Sequence, residues 1–406
     1  DVAPSRGLGD VYKRQVQGGE IIAFLFIVGG AFSIVSRTKA IDLGILKIVN
    51  VFKGKEILVL PILMFMFSIG GATFGMSEEA IAFVAVLMPL VLALGYDSIV
   101  AVAITYLACN LGFSAAMLNP FTVGIAQSIA GIQLYSGVEF RTLVWFVSTL
   151  VGCGFVMFYA MKIKKNPELS PMFEHDQVKR EKLKSTESEH TEFTLRHKII
   201  IAALFTSIAL VVYGVLKLEF WIPQIAAVFL GLGIISGLVG KLAPNEIAEA
   251  FTDGAKDMIG AAIMIGLAKS VMIIAQNANI IDTILFNLAN VVGQLPSLIA
   301  SYIMFVIQMF INFFVSSGSG QAALTMPILA PLGDLVGISR QLSVLIYQLG
   351  DGFSNAMFPT SGVLIACLGM AGVPYGKWLK WILPLQAILF MTAIVFITIA
   401  SLIGWA

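Results

Sequence analysis

Charge is what this sequence lacks. Only 12% of its 406 residues are Asp, Glu, Lys or Arg, where a soluble domain carries roughly 25%, and the two signs nearly cancel at a net charge of +1. A large water-exposed surface is thereby excluded, and so is the basic stripe with interleaved aromatics that nucleic acid would require. Cysteine and histidine are scarce too. Cys109, Cys153 and Cys367 all lie inside apolar runs, where a small buried hydrophobe is favoured over a disulfide or ligand. His175, His190 and His197 sit in or beside one charged stretch, with no spacing that builds a tetrahedral metal site. No metal centre, no organic cofactor and no enzymatic activity is expected.

Apolar residues fill the space left by charge: 58% of the chain is hydrophobic and the mean hydropathy is +0.92. A helical crossing of a bilayer needs about 20 apolar residues. Leu143–Met161, Ile199–Leu216, Ile222–Gly240, Met258–Ala275 and Ile382–Ile403 supply such runs. The lipid bilayer is the expected solvent and partner. Residues 1–15 do not fit this pattern, being polar, without an initiator Met and without the apolar core of a signal peptide. The string Asp10-Val11-Tyr12-Lys13-Arg14-Gln15 looks like a translated sequencing-adapter tail. A non-native leader is therefore expected, with the natural protein beginning upstream and at least one membrane helix missing.

Basic residues concentrate in two places, Ser36–Glu56 and Lys162–Lys198, and the positive-inside bias puts both on the cytoplasmic side. Residues 16–161 then form a first membrane unit, 162–198 a charged and solvated linker, and 199–406 a second unit. Two runs in the first unit carry polar breaks. Ile57–Leu94 is interrupted at Gly70–Glu79, and Ser98–Gly131 at Ser114–Thr122, where Pro120 removes a backbone donor. At membrane depth such breaks are tolerated only where they line a cavity or are packed in protein. The first reads as a re-entrant hairpin and the second as a discontinuous crossing.

The same order of breaks returns about 240 residues downstream. Ala40-Ile41-Asp42 is answered by Ile280-Ile281-Asp282, Asn50-Val51 by Asn290-Val291, Ser77-Glu78-Glu79-Ala80 by Ser319-Gly320-Gln321-Ala322, Met88-Pro89-Leu90 by Ala330-Pro331-Leu332, and Ala130-Gly131-Ile132 by Ala371-Gly372-Val373. Gly112-Phe113-Ser114 is answered by Gly352-Phe353-Ser354, and Asn119-Pro120 by Phe358-Pro359-Thr360-Ser361. Threading the second unit from the linker brings its hairpin, Pro296–Gly337, in from the opposite side, with its discontinuous crossing at Gln341–Val373. The expected fold is an all-α membrane protein of two inverted repeats, each with a re-entrant helical hairpin and a discontinuous transmembrane helix.

That architecture is associated with alternating-access transport, in which half-helix ends aim partial charges at a substrate near the midplane. The candidate substrate- and ion-binding residues are those of the four breaks. They are Ser77, Glu78 and Glu79 at the first tip, Ser316, Ser317, Gly318, Ser319, Gly320 and Gln321 at the second, and Ser114, Asn119, Thr122, Asp351, Ser354, Asn355, Thr360 and Ser361 in the broken crossings. Pro120 and Pro359 mark the structural breaks. Small polar residues in membrane helices more often serve close packing and interhelical hydrogen bonds; it is their clustering at matched breaks that points to binding. Glu78, Glu79 and Asp351 carry more weight singly, because an ionisable group at membrane depth is costly and functional by default. Na+ or H+ coupling is their expected role, with Na+ at the hairpin tips. Lys269 is read as snorkelling or paired with one of these acids, and Asp97, Asp334 and Arg340 as interfacial. An intramembrane aspartyl protease would use Tyr96-Asp97 and Gly7-Leu8-Gly9-Asp10, but here they stand in reversed order and the latter lies in the leader. A channel or a non-transporting sensor is the remaining alternative.

The run Asn312-Phe313-Phe314-Val315-Ser316-Ser317-Gly318-Ser319-Gly320-Gln321-Ala322-Ala323-Leu324-Thr325-Met326-Pro327, with Gln348-Leu349-Gly350-Asp351-Gly352-Phe353-Ser354-Asn355 and Phe358-Pro359-Thr360-Ser361-Gly362, resembles the YfcC-like branch of the C4-dicarboxylate anaerobic carrier (DcuC-type) family. Gly75-Met76-Ser77-Glu78-Glu79-Ala80 is similar to that branch as well. The resemblance implies a secondary transporter of the ion-transporter superfamily in the bacterial inner membrane, multi-pass, elevator-like and dimeric through scaffold helices. It implies as substrate a small organic anion or an amino acid, some relatives being taken to exchange basic amino acids. The Glu78-Glu79 pair departs from the neutral tips of better-known members. Two carboxylates would repel a dianion unless a proton or cation intervened, and they suit a substrate with a cationic group.

Overall fold

The computed structural model describes residues 22–40, 56–259 and 295–405, apart from 25, 74, 189–193, 219 and 221, with isolated positions elsewhere. Residues 1–15, Lys269, the repeat blocks at 41–42, 50–51, 280–282 and 290–291, and half of the expected crossing Met258–Ala275 lie outside the described residues.

All secondary structure among the described residues is helical. The first unit contains α1 (Glu56–Thr73), α2 (Glu79–Ala93), α3 (Ser98–Ser114), α4 (Phe121–Ala130) and α5 (Val138–Lys165). The linker carries α6 (Phe173–Ser188), and α7 (Leu195–Lys217), α8 (Ile222–Val239) and α9 (Pro244–Asp257) follow. The chain ends with α10 (Ser297–Phe314), α11 (Gly318–Leu335), α12 (Arg340–Asn355), α13 (Gly362–Ala371) and α14 (Tyr375–Leu402). Among the described residues α5, α8, α10 and α14 are each long and apolar enough to cross a membrane.

The exterior is the greasy part of this bundle. Leu58, Ile62, Met66 and Ile69 of α1 and Leu143, Phe146, Leu150 and Phe158 of α5 are exposed, Ile62 and Phe158 by 67% and 68%. In water such faces would aggregate; in lipid they cost nothing, and association must come from close packing and polar contacts inside. Those contacts are present. Ser68 and Thr149 are fully buried and hydrogen-bond at 2.7 Å, joining α1 to α5, and the Trp145 indole N–H donates to Ser68 at 2.9 Å. Close packing is most extreme between α1 and α3, where a Cβ at Gly112 would lie 1.9 Å from the Ser68 carbonyl oxygen and one at Gly71 would lie 2.1 Å from that of Cys109.

The two ends of the chain pack alike. Helix α1 lies on α3 and α5, α2 on α3, and α3 on α5; in the same way α10 lies on α12 and α14, α11 on α12, and α12 on α14. The two ends also pack across each other, α2 against α13 and α11 against α4. The long helices α3 and α12 cross where Gly352 faces Ser114, with room for no Cβ: one there would lie 2.3 Å from the Ser114 Cα.

Boundaries differ from expectation in instructive ways. Helix α1 continues through Gly70 and Gly71 to Thr73: Gly71 serves the approach to α3, Gly70 lies against the Met76 side chain, and neither breaks the helix. Non-helical chain begins only after it. Pro120 is not mid-helix: Asn119 caps α4, accepting from the Phe121 N–H at 2.8 Å, and Pro120 takes the first helical position, where no donor is missed. The linker is not wholly solvated either, since Ser170, Met172 and Asp176 are buried.

Candidate substrate site

Among the described residues, four interruptions approach one another inside the bundle, at 75–78, 115–119, 315–317 and 356–361. Each leaves helix-end groups without intrahelical partners, and part of that deficit is met by the neighbouring break. The Ala72 carbonyl at the end of α1 accepts from the N–H groups of Met117 and Leu118, both at 3.1 Å. Gly75, held at φ +78°, fits against Asn119, whose Oδ1 would lie 2.8 Å from a Cβ there. Thr122 meets the second hairpin: its methyl group would be 2.7 Å from a Cβ on Gly318. The Ser316 hydroxyl donates to the Thr360 carbonyl at 2.8 Å. The Tyr106 hydroxyl of α3 donates to the Asn355 carbonyl at 3.0 Å, tying the first broken helix to the second break.

The acids are the costly members. Glu79 is buried as the first residue of α2, accepting from the Ser77 N–H at 3.0 Å, and Glu78 is the partly buried residue before it. Asp351 is fully buried on α12, and neither carboxylate oxygen has a hydrogen-bond partner among the described residues. One turn earlier on the same face, the Tyr347 hydroxyl donates to the Gly318 carbonyl at 2.6 Å, so this face of α12 is turned to the second tip. Some other buried polar atoms without a partner among the described residues lie at or beside these breaks, namely Asn119 Nδ2, Thr122 Oγ1 and Thr360 Oγ1, while others such as Ser148 Oγ, Ser236 Oγ and Gln386 Oε1 lie elsewhere. Ser317 caps α11, accepting from Gly320 N at 3.4 Å, Ser319 lies half-buried in its first turn, and Ser361 stands at the N-terminal boundary of α13 without a capping bond from its side chain.

Several sequence-predicted residues are instead occupied by their own helices. The Ser114 hydroxyl donates to the Asn110 carbonyl at 2.5 Å and that of Ser354 to Gly350 at 2.7 Å, in matched positions beside the α3–α12 crossing. Gln321 turns towards α10, donating to the Gln308 carbonyl and side-chain oxygen at 2.9 and 2.8 Å. Asn355 and Ser354 both accept from Asn312 Nδ2, at 2.9 and 2.8 Å. Asp97, read as interfacial, is a buried cap of α3: it accepts from the Val100 N–H at 2.9 Å and from the Tyr159 and Ser170 hydroxyls at 2.5 and 2.6 Å. Those three partners hold it as a structural cap. Asp334 and Arg340 form an exposed ion pair at 2.8 Å.

Sequence reasoning missed Asn110, Asn312 and Arg141. Asn110 donates to the Gly352 carbonyl at 3.1 Å and Asn312 to that of Asp351 at 2.8 Å; a lone Asn inside an apolar run was the available signal. Arg141, near the start of α5, is buried and donates to Gln348 Oε1 at 2.6 Å and to Gln341 Oε1 at 3.3 Å, with its guanidinium 5.3 Å from the centre of the Trp405 ring. Gln348 in turn donates to the Ala116 carbonyl within the first broken crossing, at 3.0 Å. A lysine offers neither the planar fork nor the stacking face. Arg141→Lys is therefore expected to cost about 2 kcal/mol, read as a lowered thermal midpoint of the detergent-purified protein.

An all-helical bundle with a lipid-facing apolar exterior and a polar, interrupted centre defines a membrane protein whose interior is built to hold something polar. The chain belongs to the C4-dicarboxylate anaerobic carrier family, whose match extends over residues 9–402, and that membership makes it a transporter. It is 43% identical over 413 aligned residues, covering 99% of this chain and 81% of the relative, to YfcC of Escherichia coli (strain K12), which is named as a candidate basic amino acid antiporter. An uncharacterised protein of Haemophilus influenzae is 33% identical over 95% of this chain and 77% of its own length. Among solved structures, the Alcanivorax borkumensis YdaH transporter aligns over 100% of this chain and 90% of its own at 16% identity and a TM-score of 0.48.

Proposed function

We propose that this protein is a secondary transporter of the bacterial inner membrane that exchanges a small substrate bearing a cationic group, a basic amino acid in the first instance, by alternating access at the four converging breaks. The observation that carries this reading is Asp351: a buried carboxyl with neither oxygen partnered among the described residues. Burying an uncompensated charge costs several kcal/mol, so the position calls for a proton, a metal cation or the cationic end of a substrate. Glu79 and Glu78 add two more carboxyls at the first tip.

Support for two inverted repeats comes from the matched packing of α1, α2, α3 and α5 with α10, α11, α12 and α14. On this reading α1–α2 and α10–α11 are re-entrant hairpins entering from opposite sides, the break-bearing helices travel as one elevator body, and Na+ or H+ neutralises the acids when no cationic substrate is present. A second reading, a C4-dicarboxylate carrier, is favoured by the family and by the N-termini of α2, α4, α11 and α13 that open onto the breaks, since helix N-termini attract anions. There the acids would need bound cations.

Proteoliposomes loaded with arginine and challenged with radiolabelled arginine, lysine, succinate or fumarate, with and without Na+ and a pH gradient, separate the two. Saturable arginine–lysine exchange is expected. Exchange confined to succinate and fumarate would move the assignment to the second reading, and conductance without saturation would defeat both.

A further inference from the structure

The linker between the two units holds a charged pair placed with unusual economy. Asp176 of α6 is fully buried, although it belongs to the most polar stretch of the chain. Its Oδ2 accepts from the Ser98 N–H at 2.7 Å and its Oδ1 from the Ser98 hydroxyl at 2.5 Å, so a carboxylate sits on the N-terminus of α3. One turn later, Lys179 Nζ donates to the Ala371 carbonyl at 2.8 Å, placing an ammonium on the C-terminus of α13. The same nitrogen donates to Asp176 Oδ1 and to the Ser98 hydroxyl, both at 2.8 Å. Helix α3 opens the first discontinuous segment, and α13 closes the second.

The signs are matched to the poles. A helix N-terminus carries a partial positive charge and a C-terminus a partial negative one, and each is stabilised by an opposite charge within the last turn. An Asp and a Lys three residues apart on one helix serve both ends at once because α3 and α13 pack side by side. Further bonds hold α6 and its approach in place. Arg180 donates to the Tyr96 carbonyl at 2.8 Å, Lys377 at the start of α14 to the Pro171 carbonyl at 2.7 Å, and Ser170 to Asp97 at 2.6 Å. A connector needs none of this.

We propose that α6 is a clamp whose Asp176–Lys179 pair, by bridging the N-terminus of α3 and the C-terminus of α13, fixes the spacing of the two broken helices and makes both residues positioning residues for transport. The part that concerns transport rests on the reading in Proposed function; the bridging itself does not. With the pair in place, the far ends of the two broken helices, Ser114 and Gly362, are held in register across the centre. Without it, α3 and α13 can slide separately, and the breaks they bound lose their alignment in the step that reorients the site.

The test compares the wild-type chain with Lys179→Met, the neutral donor variant Lys179→Gln, and the exchange of the two charges, Asp176→Lys with Lys179→Asp. Hydrogen exchange, which needs no substrate, is followed in segments 98–104 and 364–373. Loss of a charge-assisted bond at a helix end is expected to speed exchange in both segments about tenfold in Lys179→Met, with a smaller change in Lys179→Gln. In proteoliposomes the maximal rate of arginine exchange is expected to fall about tenfold in Lys179→Met while KM stays within about twofold, since the clamp touches no substrate. The charge exchange keeps an ion pair on α6 but faces each pole with the wrong sign, so it is expected to be at least as impaired as Lys179→Met. Restoration by the charge exchange, unchanged hydrogen exchange in either segment, or unchanged turnover despite faster hydrogen exchange would each overturn the proposal. Should Lys179→Met not be recovered folded, the Lys179→Gln measurements decide on the same criteria. Should the wild type move no arginine, the basic-substrate reading falls, and the hydrogen-exchange comparison still decides the clamp.

Discussion

Asp351→Asn is expected to lower exchange at least about 100-fold, the effect of losing roughly 3 kcal/mol of charge-dependent interaction in the transport cycle, while the protein still inserts and purifies as wild type. The amide has the volume of the acid and can satisfy the same space, so packing is preserved. What it cannot do is take up and release a proton or offer a cation a negative charge. A carboxyl buried with both oxygens unpartnered among the described residues is a cost to the fold, so its removal is also expected to raise the thermal midpoint of the purified protein, as commonly happens when a site is relieved of functional strain. Activity and stability moving in opposite directions distinguish a working residue from a structural one. Wild-type exchange by the Asn variant, measured beside its thermal midpoint, would remove the central support for cation or proton handling. Glu79→Gln is the companion substitution, but the bond from the Ser77 N–H gives that carboxylate a structural share as well.

The largest loss of stability is expected from Gly112→Ala. The added methyl would meet the Ser68 carbonyl oxygen at 1.9 Å and the Ala72 nitrogen at 3.0 Å. Both are backbone, so no side chain can turn aside and α1 must move away from α3. Overpacking of this kind costs about 3 kcal/mol or more, and it falls on the helix pair that brings the first tip to the first broken crossing. Gly154 of α5 is the matched control: a Cβ there meets nothing within 4 Å, so Gly154→Ala is expected to be neutral or slightly stabilising. Size-exclusion profiles and thermal midpoints of the two variants in one detergent check the contrast, and an equal tolerance of both would refute the proposed packing.

Composition and periodicity made the membrane class legible, because too few charges were present to cover a soluble surface. The breaks were legible too, since Ser, Gly and Asn cannot be clustered inside apolar runs without a reason. Their limits were not. Gly70 and Gly71 read as helix breakers, yet both are helical, and Gly71 serves a close approach whose partner, Cys109, lies on another helix. Ser114 and Gln321 read as ligands and turn to their own neighbours, a choice set by rotamers and packing that spacing along one chain does not encode. Arg141 was invisible for a related reason. A single Arg at the edge of an apolar run normally marks the water interface, and only the three-dimensional arrangement of Gln341, Gln348 and Trp405 makes a buried place for it. Asp176 was hidden in the same way by the polarity of its surroundings.

The crossed packing of α2 on α13 and α11 on α4 bears on how the protein is made. A ribosome adding about 5–20 residues per second needs tens of seconds to progress from α2 to α13. For that interval α2 lacks the helix it will finally rest on, and Asn110 waits for a carbonyl, that of Gly352, which has yet to be synthesised. Neither half is therefore a free-standing module, and the nascent first half is the form most exposed to membrane quality control.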